Sequence, residues 1–144
     1  MAIRFFSDDV AFILKKKRKI ANWLQNVAFE EKKKIESINY VFVSDETILE
    51  MNYKFLKHKY CTDIITFDNS SSVIKLSGEM YISVDTVREN AEYYKVDFEK
   101  ELLRVILHGL MHLCGYNDIN DSEIEKMRQV ENKYLNLYDA NTTI

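Results

Sequence analysis

Apolar positions along this chain fall into short dense runs and into longer stretches where they recur every three or four residues. Ile3-Arg-Phe-Phe6 reads as a first strand, ended by Ser7-Asp8-Asp9. In Ile20-Ala-Asn-Trp-Leu24 and Val27-Ala-Phe29 the apolar residues repeat at helical spacing. Ile38-Asn-Tyr-Val-Phe-Val43, β-branched and aromatic, predicts a second strand. Ser44 is a good N-cap for the helix after it, with Asp45 and Glu46 in the first turn and Thr47 through Phe55 inside. A cationic loop then feeds a buried strand ending at Phe67. Asp68-Asn-Ser-Ser-Ser72 is a polar turn, and Ser77-Gly78-Glu79 opens the strand Met80-Tyr-Ile-Ser-Val84. Asp85 to Tyr94 reads as a helix. Asp97 caps another, carried by the apolar run Glu101-Leu-Leu-Arg-Val-Ile-Leu107, which has no Gly or Pro. Asp121 or Ser122 caps the last, whose stripe is Ile124, Met127, Val130, Tyr134, Leu135 and Tyr138.

The element order is strand, helix, strand, helix, strand, strand, then three helices. It predicts an α/β fold, a small mixed sheet of about four strands packed with about five helices. The two strands joined by the polar turn should be antiparallel, and helix-linked strands can pair in parallel through crossovers. At 144 residues the chain is expected to form a single domain over residues 1–144, with a core that needs no staples. No apolar run reaches membrane-spanning length and no leader pattern opens the chain, so a cytoplasmic location is expected. Cys61 and Cys114 then read as reduced thiols. Net charge is −3, so any surface for an anionic partner must be local. The candidate patches are Lys15-Lys-Lys-Arg-Lys19 and Lys32-Lys-Lys34, each of which also reads as solvated helix face or turn.

The chemistry is concentrated in His108-Gly-Leu-Met-His112-Leu-Cys-Gly115-Tyr-Asn-Asp118. On a helix, His108 and His112 share a face and can converge on one ion. Gly115 lets the helix stop and the chain turn, so Asp118 can return as a third ligand. Three protein ligands leave a position open for water or substrate, as in catalytic sites. One divalent ion is expected, zinc first, although a carboxylate is a harder ligand than a third imidazole. Asn117 is a weaker candidate and His58 a competitor. The spacing also suggests the long zinc-protease motif, but Gly109 stands where that motif needs its glutamate base.

H-G-x-x-H-L-x-G-Y in this chain resembles the YbeY-type rRNA maturation factors, metal-dependent single-strand endoribonucleases of bacteria. Their pattern continues D-H, where this chain has Asn117 and Asp118. A second resemblance, to N-x-x-Y-R-x-K-D-x-P-T-D-V-L-S-F, is carried by Asn52, Phe55, Thr62, Asp63, Ile64, Ile65, Thr66 and Phe67. Leu56 replaces the family's arginine, and Lys54, Lys57, His58 and Lys59 are the residues nearby that can hold RNA. Glu79, at the aspartate of the family's G-D-I, is the candidate general base. The resemblance implies hydrolysis of phosphodiester bonds in single-stranded RNA, in rRNA maturation and ribosome quality control, with rRNA precursors and the small ribosomal subunit as partners. Two alternatives stay open: a ribosome-assembly RNA-binding factor with a structural metal, and another metallohydrolase such as a protease.

Overall fold

The computed structural model describes residues 2–56 and 62–140. Along them run β1 (Ile3–Ser7), α1 (Lys17–Glu30), β2 (Lys34–Val43), α2 (Asp45–Leu56), β3 (Ile64–Asp68), β4 (Lys75–Ser83), α3 (Val84–Tyr94), α4 (Phe98–Leu113) and α5 (Asp121–Ala140). This is the order expected from the patterning. The sheet runs β1-β2-β4-β3. β1 and β4 both lie parallel to β2, and the pair joined by the polar turn, β3 and β4, is antiparallel.

Alternation along the strands sends their side chains to two different layers. Ile38, Tyr40 and Phe42 of β2, with Leu76, Met80 and Ile82 of β4, face a core built with α1, α3, α4 and α5. Val41, Val43, Ile65, Phe67 and Tyr81 face the other way, onto Ile48 and Met51 of α2. The result is three layers, with α2 alone on the second face. Helix α4 is central to the larger layer, and two buried hydrogen bonds hold this layer in register. Tyr40 Oη donates to the Ile106 carbonyl at 2.9 Å, and Trp23 Nε1 donates to the Tyr134 carbonyl at 2.8 Å. Leaving either donor unpaired in the core would cost about 1–3 kcal/mol.

Two glycines let α4 lie close on the sheet. A Cβ at Gly109 would sit 2.9 Å from Ile64 Cδ1 and 3.0 Å from Met80 Cγ. There is no room there for a glutamate, so the protease base is excluded by packing as well as by composition. A Cβ at Gly78 would meet the Phe67 carbonyl oxygen at 2.7 Å and Leu113 at 3.2 Å. Because the first of these is backbone of the paired strand, it cannot swing aside. Gly78→Ala is therefore expected to destabilise the protein by about 2 kcal/mol, the usual cost of overpacking, read as a lower denaturant midpoint.

Three local expectations are corrected. β4 begins at Lys75 rather than Met80, because it pairs with β2 from the Lys34↔Lys75 register onward. Val84 opens α3 rather than closing the strand, since Ser83 caps that helix by accepting from Thr86 N. The cap of α5 is Asn120, not Asp121 or Ser122. Its Oδ1 accepts from Glu123 N at 2.8 Å, while Glu123 Oε1 accepts from Asn120 N at 3.2 Å, a reciprocal capping box.

Candidate metal centre

Helix α4 is polar along one stripe, Glu101, Arg104, His108 and His112, at spacings of three and four residues. It ends in a Schellman turn. Gly115 takes φ +105°, its N–H reaches the His112 carbonyl at 3.0 Å, and Tyr116 N–H reaches the Met111 carbonyl at 3.0 Å. This turn brings Asp118 back over the helix, so that His108, His112 and Asp118 each place one ligand atom within 4.8 Å of the others.

The protonation of both rings follows from their outer partners. His112 Nδ1 lies 3.0 Å from the Tyr116 carbonyl, which can only accept, so Nδ1 carries the hydrogen. His108 Nδ1 lies 2.6 Å from Glu131 Oε2, and donates to it for the same reason. In the neutral rings both Nε2 atoms present lone pairs, 2.9 Å apart, and Asp118 Oδ2 adds a third acceptor at 3.2 Å from His108 and 3.5 Å from His112. When both rings are neutral, three acceptors face one point and can hold a cation between them. Their separations bracket the edge of about 3.3 Å that bonds of ~2.0–2.1 Å give in a tetrahedron. The donor set therefore fits a zinc-like ion, and the carboxylate admits a harder one.

Glu131 is the residue that sequence reasoning missed. It comes from α5, is 5% exposed, and is shared between His108 and Arg104, whose Nη1 donates to Oε1 at 3.0 Å. The available signal was a charge on the inward stripe of α5, where Met127, Tyr134, Leu135 and Tyr138 are buried with it. Ile124, expected inside, is 43% exposed. His108 feels burial, which works to lower its pKa. Its hydrogen bond to Glu131 and the charges of Glu131, Asp63 and Asp118 outweigh that and raise it.

Asp63 was also passed over, although it sits in the second region of resemblance. It lines both clefts that meet at His108 and Asp118, one running toward α3 and α5, the other along edge strand β3. Burial raises its pKa, against the opposing pull of His108. Buried Asn52 lines the second of these clefts.

The structure does not bring Glu79 to this group. Gly78 and Met80 face α4, so alternation turns Glu79 to the opposite face of the sheet, beside Asn39 of β2 and Phe67 of β3. Lys54 is exposed in the last turn of α2, its Nζ 5.7 Å from the centre of the Phe55 ring. Lys57, His58 and Lys59 lie outside the described residues. Cys114 is partly buried against the core, and burial pushes its thiol up to about 12, so it stays protonated as a packing group.

Comparison with known proteins gives the chain a family. The model of the Endoribonuclease YbeY family matches residues 5–139. The chain belongs to that family. Among YbeY relatives, the Endoribonuclease YbeY of Parabacteroides distasonis is 46% identical over 135 residues, 94% of either chain. That of Cytophaga hutchinsonii is 45% identical over 135 residues, again 94% of each. The solution structure of TM1509 from Thermotoga maritima superposes with a TM-score of 0.63 at 27% identity, covering 97% of this chain and 93% of that one. Membership supplies the fold and the endoribonuclease class; the site in this chain departs from the YbeY pattern at Asp118.

Proposed function

We propose that this protein is a metal-dependent endoribonuclease specific for single-stranded RNA, acting in the cytoplasm in rRNA maturation and ribosome quality control. Its partners would be rRNA precursors and the small ribosomal subunit. His108, His112 and Asp118 would hold one divalent ion, zinc first. The observation that carries this reading is the pair of fixed imidazole tautomers, which turn two lone pairs and a carboxylate oxygen onto one point. That point lies where two surface clefts meet, so the site keeps an open side, as a catalytic centre requires and a structural one does not. A bound ion would lower the pKa of a water and polarise a phosphoryl oxygen. Asp63, held above its ordinary pKa by burial, takes the part that Glu79 cannot reach and accepts the proton of the attacking water. Glu131 and the Tyr116 carbonyl keep both imidazoles oriented throughout.

The deciding experiment is metal analysis of purified protein paired with cleavage of an unstructured RNA and a duplex of the same length. One ion per chain, cleavage of the single strand only, and loss of cleavage with chelator are expected. Full activity in chelator would overturn the proposal, and RNA binding without cleavage at full metal content would favour the assembly-factor reading. A related expectation concerns Lys54, Lys57 and Lys59. If they hold phosphates, RNA affinity falls as salt rises, with a log–log slope of about −0.7 per phosphate on single strands. Neutralising all three should flatten that slope. An unchanged slope would mean that these lysines are merely solvated.

A further inference from the structure

From the candidate metal centre a cleft of about 430 Å³ runs between α3, α4 and α5, the size of a small-molecule site. His108 and Asp118 line one end, and Asn90, Tyr94, Lys100, Glu101 and Arg128 line the rest. Three features of this lining stand outside the metal chemistry. Glu101 is only 7% exposed, yet among the described residues its carboxylate has no hydrogen bond or ion pair; Arg104 and Arg128 act on it from beyond pairing distance. Its oxygens open to the cleft, since Asn39 Oδ1 is the one buried side-chain atom without a partner among the described residues, and a ligand in the cleft can donate to them. Tyr94 is 58% exposed and lies one helical turn from Asn90, so an aromatic ring and an amide share one wall. Lys100 and Arg128 form no ion pair among the described residues, which leaves their charge for an anion. Arg104 differs, being already held by Glu131 and Asn132.

We propose that this cleft is a nucleobase subsite next to the scissile phosphate, selective for a base with an exocyclic amino group over uracil. The inference rests on the reading of the centre as an RNA site. In the subsite, Tyr94 stacks on the base, and Lys100 and Arg128 hold the flanking phosphate. The Glu101 carboxylate accepts from the amino group on the Watson–Crick edge, which single-stranded RNA leaves free. Uracil has a carbonyl at that position and offers only its single N3–H, flanked by two carbonyl oxygens that repel the carboxylate.

The test is equilibrium binding of the tetranucleotides rA4, rC4 and rU4 to the metal-loaded protein, with cleavage positions mapped on one unstructured RNA. The wild type is expected to bind rA4 and rC4 at least about fivefold more tightly than rU4, and to cut beside the amino-bearing bases. Glu101→Leu, which has no acceptor, should erase that ratio, while Glu101→Gln, whose amide oxygen still accepts and whose nitrogen donates to a uracil carbonyl, should lower it by raising rU4 affinity. Tyr94→Ala, at an exposed position, should weaken all three by about five- to a hundredfold and leave the ratio unchanged. Equal binding of rU4 by the wild type, or a ratio that survives Glu101→Leu, overturns the subsite. Discrimination among the tetranucleotides without cleavage of any RNA would support the subsite and reject the nuclease.

Discussion

Asp118→Ala is expected to strip the protein of its metal, lowering affinity by more than the roughly 10–100-fold that loss of an outer-shell partner costs. Three acceptors converge on the centre, and Asp118 is the only one of them with a formal charge when the imidazoles are neutral. Its removal leaves two histidines four residues apart on one helix, a much poorer site. Asp118→His should behave differently, keeping or raising affinity for zinc while lowering it for harder ions, because imidazole is the softer ligand. It should also make a bound water more acidic, since the ion would keep more of its charge. His58→Ala should leave metal content unchanged. Metal analysis of the three variants decides the matter. Metal that survives Asp118→Ala and is lost in His58→Ala would make Asp118 a turn residue and reassign the ligand.

Glu131→Gln should damage both stability and metal binding, although the residue touches no ion. Its carboxylate accepts from His108 Nδ1 at 2.6 Å and from Arg104 at 3.0 Å, at 5% exposure. The amide that replaces it has one acceptor for two donors and turns an N–H toward one of them. Breaking a buried pair in this way costs about 3 kcal/mol. Metal affinity should fall about 10–100-fold, because His108 loses what fixes its tautomer. The pH dependence separates the two roles. In metal-free protein the raised pKa of His108 contributes stability that is fully present below its unfolded value and is lost as pH rises through the folded one. Glu131→Gln removes much of that rise, so the stability gap between wild type and variant should narrow as pH climbs past it. The part due to Arg104 should persist. A gap independent of pH would show that Glu131 serves Arg104 alone.

Helices, strands and the clustering of His108, His112 and Asp118 are properties of near neighbours in the chain, and the sequence by itself determined them. Spacing of apolar residues sets which elements form, since each must bury one face. His108, His112, Gly115 and Asp118 span eleven positions, and a helix followed by a glycine turn carries them together without help from elsewhere. Where the reading failed, it failed over contacts between distant segments. Glu131 reaches His108 from 23 residues away, and only the docking of α5 on α4 decides that a charge on the α5 stripe meets an imidazole and an arginine rather than water. Glu79 stays apart from the group and Asp63 joins it for a similar reason. Strand alternation puts Glu79 on whichever face Gly78 does not occupy, and the packing of α4 against Gly78 selects the face. Asp63 precedes β3, where no periodicity governs direction, and tertiary packing alone brings it into both clefts. Local geometry is set by covalent period, which a sequence displays; the meeting of two faces depends on how every other face is buried, which only the folded chain resolves.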